Sequence, residues 1–196
     1  HDENKGAKVN VVDNQGNHIQ SLTTSQYNSH VEHNMLQPNQ HYDYKQFADS
    51  NVFANSAHPI RKMINHAQRL LDNGHFVHII TARSDMDNPQ VFLGALKQMG
   101  LNTDHPRFHL HRAGNFVEKN PTHINKAKML DRMLTDPRFG LDKVRHVVGY
   151  DDHKPNVTSI YTTPIAELGG KTIRQRHPNK EFAGIHFTKG RVKRVS

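Results

Sequence analysis

From residue 58 to residue 150 the chain alternates helical and strand patterns, and this alternation limits its possible folds more than any other feature. Pro59 stands where a first helical turn accepts it, and Ile60, Met63, Ile64, Ala67, Leu70 and Leu71 follow at helical spacing up to Gly74. Phe76-Val77-His78-Ile79-Ile80 is then a short, continuous apolar run, the pattern of a strand buried on both faces of a parallel sheet. Asn88-Pro89 opens a second helix whose apolar stripe is Val91, Phe92, Ala95, Leu96 and Met99, with Gly100 closing it. Residues 107–111 predict a strand, and residues 122–134 a third helix carrying Ile124, Ala127, Leu130, Met133 and Leu134. Val144 to Tyr150 predicts a further strand. The expected fold class is α/β: a three-layer Rossmann-like, open and mostly parallel sheet with helices on both faces.

The flanks read differently. Residues 8–23 predict a hairpin, with Val9, Val11 and Val12 before a turn at Asp13-Asn14-Gln15-Gly16-Asn17 and His18 to Leu22 after it. Residues 24–57 are polar and rich in Asn, Gln and His, with Tyr42, Tyr44, Phe47, Val52 and Phe53 as anchors, and predict loop with short helical turns. Gly184 to Phe187 and Arg191 to Lys193 predict a closing hairpin. A single domain over residues 1–196 is expected, with 8–57 as a hairpin and small cap-like insertion and 58–196 as the α/β core. A chain of this length buries a core without disulfides or a structural metal.

Composition narrows the chemistry. With no cysteine, disulfides, Cys-ligated zinc, iron–sulfur clusters and thiol nucleophiles are excluded. No apolar run approaches the roughly 18 residues of a membrane span. The expectation is a soluble protein with no membrane partner, located in the cytoplasm or in a virion. The 26 Lys and Arg against 18 Asp and Glu leave +8 with the 17 histidines neutral, which favours anionic partners such as phosphate esters, nucleotides or nucleic acid. For nucleic acid the case is weaker, because Lys189, Arg191, Lys193 and Arg194 have no interleaved aromatics beyond Phe187 and suit a charged edge hairpin equally well.

Ligands of an open parallel sheet bind beyond the carboxyl ends of its strands. Those ends carry Thr81-Ala82-Arg83-Ser84-Asp85 and Asp151-Asp152-His153-Lys154-Pro155-Asn156, with Lys126 near the start of the intervening helix. A hydroxyl, an ammonium and two carboxylates suit a phosphate group and a hard divalent cation. Each residue also has a plainer reading: Asp151, Asp152 and Asn156 as turn and helix cap, Thr81 as a β-branched strand residue, Arg83 as an exposed charge, Lys126 and Lys128 as a solvated helix face. His109 and His111 share a strand face, and His30 and His33 are helix neighbours. Seventeen histidines produce such spacings by chance, and no third ligand accompanies either pair, so a dedicated zinc or copper site is not expected.

Ile79-Ile80-Thr81-Ala82-Arg83, Lys126 and Gly149-Tyr150-Asp151-Asp152 with Asn156 stand in the order of three motifs of one family. They resemble the second, third and fourth motifs of the haloacid dehalogenase-like superfamily, phosphatase type, and phage-encoded members in particular. Ser21-Leu22-Thr23, Pro59-Ile60, His111-Arg112-Ala113-Gly114-Asn115 and Gly190-Arg191-Val192-Lys193 extend the phage likeness over nearly the whole chain. The resemblance implies a magnesium-dependent hydrolase acting on a phosphomonoester, a nucleotide or nucleic-acid end among the candidates. It implies Thr81 and Lys126 as catalytic residues, with Lys128 as the fallback lysine, and Thr81, Ala82, Arg83 and Lys126 as substrate-binding residues. Asp151 and Asp152 would hold Mg²⁺, and residues 8–57 occupy the place of a small cap that sets substrate choice.

One departure stands against these matches. The family's first motif, a strand ending in Asp-x-Asp, supplies the nucleophile that becomes an aspartyl-phosphate, and it is expected upstream of residue 1. Asp13 ends an apolar strand, but Gln15 stands where the second aspartate belongs. Asp85-Met86-Asp87 has the spacing but lies beyond Thr81 rather than at its own strand end. Neither is taken as the motif. The rival expectation is therefore a catalytically inactive binding or structural protein of the same fold, such as a virion component.

Overall fold

A computed structural model describes residues 6–57, 59–82, 88–113, 120–188 and 191–195. These residues form a mixed α/β architecture with eight α-helices and three small sheets, in which parallel and antiparallel pairings both occur. The chain divides into two compact units, His1–Val77 with Ser84–Phe108 and His78–Arg83 with His109–Ser196.

In the first unit β1 (Val9–Asp13) runs antiparallel between β2 (His18–Leu22) and β3 (Gln40–Asp43). Val11, fully buried, anchors this sheet. Asp13 closes the predicted hairpin: its carboxylate accepts from the backbone N–H of Gln15 at 2.9 Å and of Asn17 at 2.8 Å, and from the Asn17 side-chain amide at 2.9 Å. The segment expected as loop with short helical turns holds the short α2 (Lys45–Ala48) and α3 (Ser50–Ser56) and, beyond that expectation, α1 (Thr24–Glu32) and β3. A capping box explains α1, because the Thr23 side chain accepts from the Gln26 N–H while the Gln26 side chain accepts from the Thr23 N–H. The two long predicted helices form as α4 (Arg61–Asp72) and α5 (Pro89–Gln98). Ile60 remains extended, so α4 begins two residues after Pro59. Phe53 of α3 meets Phe92 of α5 with ring centroids 4.2 Å apart.

In the second unit, which takes in all but the first residue of β4 and β5, β4 (Val77–Thr81) pairs with β5 (Phe108–Arg112). β6 (His146–Asp151) runs parallel to β7 (Glu181–Thr188), which turns back antiparallel into β8 (Arg191–Val195). The apolar run expected to be buried on both faces is half-buried along all of β4, and Val148 of β6 is 46% exposed. The reason is edge position: among the described residues β4 has β5 as its strand neighbour and β6 has β7.

Helices α6 (Thr122–Thr135), α7 (Lys154–Thr162) and α8 (Ile173–Arg176) complete this unit. Gly149 and Gly184 lie opposite each other in the β6–β7 register and form the seat of α7. A Cβ on Gly184 would stand 2.6 Å from the Val157 carbonyl oxygen, and one on Gly149 would strike the Tyr161 hydroxyl. These glycines provide space rather than an unusual backbone angle. At the far end of α6, buried Asp131 accepts from Arg176 Nε at 2.7 Å and Nη2 at 3.1 Å and lies 2.8 Å from His177 Nε2. Among the described residues no helix is long and apolar enough to cross a membrane.

Candidate functional site

The carboxyl end of β6 carries the densest polar arrangement that the sequence pointed to. Asp151 is its last residue, and α7 begins three residues later with Pro155 in its first turn. The Asp151 carboxylate is held from three directions. Lys126 Nζ of α6 donates to Oδ2 at 2.6 Å, the His153 backbone N–H donates to Oδ1 at 2.8 Å, and the Asn156 side-chain amide lies 3.2 and 3.3 Å from the two oxygens. Lys126 and Asp151 are both largely buried, and Asn156 is 5% exposed. A buried ion pair with its remaining lone pairs bonded is the arrangement in which low polarity strengthens rather than penalises the contact.

Asp152, the next residue and exposed, adds a second carboxyl beside the first. Partial desolvation of its carboxyl pushes Asp152 above the usual range and the charge of Asp151 adds to this, while Lys126 opposes it. One ammonium facing two carboxyls leaves a surplus of acceptors, and a hard cation would satisfy it. Among the described residues no group of three or more His, Asp or Glu could hold a metal ion, so any such cation would have these two carboxylates from the protein and the rest from phosphate and water.

The sequence reading did not single out the histidines at this end. His186 of β7 lies opposite Asp151 in register, and its Nε2 is 3.0 Å from the Asp152 carbonyl oxygen. His123 stands in the first turn of α6, one turn before Lys126. Burial lowers its pKa below the usual imidazole value, and His153 lowers it further. The signal for His123 was its three-residue spacing from Lys126, which places both on one helix face.

The remaining predicted residues are placed as follows. Thr81 is the half-buried last residue of β4 and Ala82 an exposed bend after it; Arg83 lies outside the described residues, as does Asp85-Met86-Asp87. The solvated-face reading of the two lysines is corrected: Lys126 meets Asp151, and Lys128, 6% exposed, stands 3.3 Å from Glu167. Periodicity misjudged them because each partner lies tens of residues away in sequence. Asp13 belongs to the first unit's antiparallel sheet, where the Asn17 side chain and then backbone N–H groups hold its carboxyl below the usual range. His30 bonds Tyr42 at 2.8 Å and His33 lies 2.8 Å from the Ser29 carbonyl, so these two do not converge on a ligand. No protein-family model matches the chain, and no curated protein or solved structure matches it either.

Proposed function

We propose that the second unit is the core of a haloacid dehalogenase-like phosphatase, a Rossmann-like layered fold that acts on a phosphomonoester such as a nucleotide or nucleic-acid end. The observation that carries this reading is the buried Lys126–Asp151 pair at the end of a parallel strand, with Asp152 beside it. Lys126 neutralises charge on the phosphoryl oxygens, Thr81 donates its hydroxyl to one of them, and the Thr81-Ala82-Arg83 segment lines the substrate. Asn156 and the His153 N–H fix the Asp151 carboxylate so that it does not reorient during turnover. Asp151 and Asp152 hold Mg²⁺, which when bound supplies positive charge to the phosphoryl group. In a phage this activity belongs to the host cytoplasm or the virion.

The reading requires a nucleophilic aspartate on a strand beside Thr81 and Asp151, and none of the described strands supplies it. In the second reading the same site binds a phosphate ester and Mg²⁺ without turnover, as a binding or structural protein of the same fold. Hydrolysis of p-nitrophenyl phosphate by the full chain, with and without Mg²⁺, separates the two. For a chain that carries the upstream Asp-x-Asp strand, the expected result is Mg²⁺-dependent turnover that drops about 100-fold in Lys126→Met, the usual effect of removing one electrostatic stabiliser. Calorimetric binding of inorganic phosphate with Mg²⁺ but no turnover would establish the binding protein; neither binding nor turnover would end both readings.

A further inference from the structure

Away from that site, three imidazoles gather on one face of the β4–β5 pair. His78 of β4 and His109 and His111 of β5 have ring centroids 5.0, 5.1 and 6.4 Å apart. Phe139, from the 3-10 turn Pro137–Phe139, stands edge-on to all three at 5.6, 4.8 and 5.1 Å. His78 Nδ1 is 2.8 Å from His111 Nε2, and the two ring planes differ by 7°. Nearly parallel rings whose nitrogens approach this closely while their centroids stay 5.1 Å apart are joined end to end in one plane, by an N–H···N hydrogen bond. Such a bond needs one bridging nitrogen with its proton and one without.

Proton counting gives the cluster its behaviour. One added proton leaves an imidazolium bonded to an imidazole, and the bridge survives. A second puts a proton on both bridging nitrogens, which then face each other as donors with like charge. Among the described residues of β4 and β5, the titratable groups on the cluster's face are the imidazoles themselves. From the turn they are Arg138, whose guanidinium lies 5.9 Å from the Phe139 ring, and Asp136, which Arg138 holds at 2.5 Å. Arg112 follows His111 in β5 and so alternates to the opposite face.

We propose that His78, His109 and His111 form an acid-released clasp, which fastens β4 to β5 and to the Phe139 turn while neutral and opens when protons enter. Burial, and then the neighbouring imidazoles, push His78 down to about 3 and His111 down to about 4. Both folded values lie below the ordinary imidazole value of 6.5. The stabilisation is therefore complete above that value and is lost as the pH falls from it through about 4 to about 3. His78 lies three residues before Thr81, so opening the clasp releases the strand that carries Thr81. The clasp does not depend on the phosphatase reading.

Hydrogen exchange of the full chain tests it, with rates referred to the unfolded chain at each pH. Protection of β4 and β5 is expected to fall about tenfold or more between pH near 7 and pH near 4, while β6 changes little. His78→Phe, which keeps a flat ring and removes the bridge, is expected to shrink that difference to the share of His111, which burial and His109 hold down without His78. Imidazole NMR titration provides a readout on the parent chain should the variant fail to fold: His78 and His111 must stay neutral to well below pH 6. Ordinary titration of these two rings near 6.5, or the same pH dependence in folded His78→Phe, overturns the clasp. Stoichiometric Zn²⁺ binding that displaces the shared proton would also overturn it, by making the cluster a metal site.

Discussion

Replacing Gly184 by valine is expected to destabilise the second unit by about 3 kcal/mol, the upper range for forcing atoms into a well-packed contact. The obstacle is backbone. Any Cβ at this position stands 2.6 Å from the Val157 carbonyl oxygen, and no side-chain rotation moves that atom. Helix α7 must lift from β6–β7, and the first turn of α7 carries Asn156, which with the preceding His153 N–H fixes the Asp151 carboxylate. Stability and the candidate site are therefore expected to fail together. Alanine at Gly184 meets the same oxygen with a smaller body and should fall between parent and valine. Alanine at Gly149 should cost less, because the group in its way is the mobile hydroxyl end of Tyr161, and Tyr161→Phe should recover part of that loss. Denaturant midpoints at unchanged slope measure the series. A Gly184→Val protein as stable as its parent would show that α7 does not rest on the glycine seat.

Which parts of this architecture could be read in advance follows from where the information lies. Helix α6 spans Thr122–Thr135 against the 122–134 read from its apolar stripe, and β6 spans His146–Asp151 against the Val144–Tyr150 read from its apolar run, because periodicity is a local property. The Asp151 cluster was legible to the same degree, since strand end, helix start and acidic pair are contiguous in sequence. Helix α1 was not, because its single fully buried residue is His30 and it offers no apolar stripe; the signal present was Thr23 with Gln26, a capping box three residues wide. Strand β3 has the sequence Gln-His-Tyr-Asp and owes its pairing to Val11 and Val12 of β1, some thirty residues earlier, which no local pattern contains. Lys128 looked like a solvated helix position because its partner, Glu167, lies about forty residues further along the chain, and Arg176, the partner of Asp131, is as distant from its own.

Asp131 is where that hidden information has its largest expected effect. Replacing it by alanine is expected to destabilise the second unit by about 3 kcal/mol, the lower end for breaking a buried ion pair, since the Arg176 side chain is about one-third exposed and recovers some hydration. His177 recovers less, because its side chain is 11% exposed and its Nε2 loses the carboxylate it faces. Asn at 131 retains a carbonyl acceptor and should cost less than alanine. Burial alone would raise the Asp131 carboxyl, but the hydrogen bonds from Arg176 and His177 outweigh it and hold the carboxyl below its usual range. The group therefore stabilises the fold above its ordinary value of 3.8, and that contribution is lost as the pH falls through the lower folded value. This separates it from the His78–His111 bridge, whose contribution begins to fade below 6.5. A double-mutant cycle of Asp131→Ala with Arg176→Met isolates the pair, and a coupling above about 1 kcal/mol is expected for side chains in direct contact. Additive losses would mean that the Arg176 contact does not hold α6. Coupled losses would make α8 the anchor of the helix that presents Lys126 to Asp151.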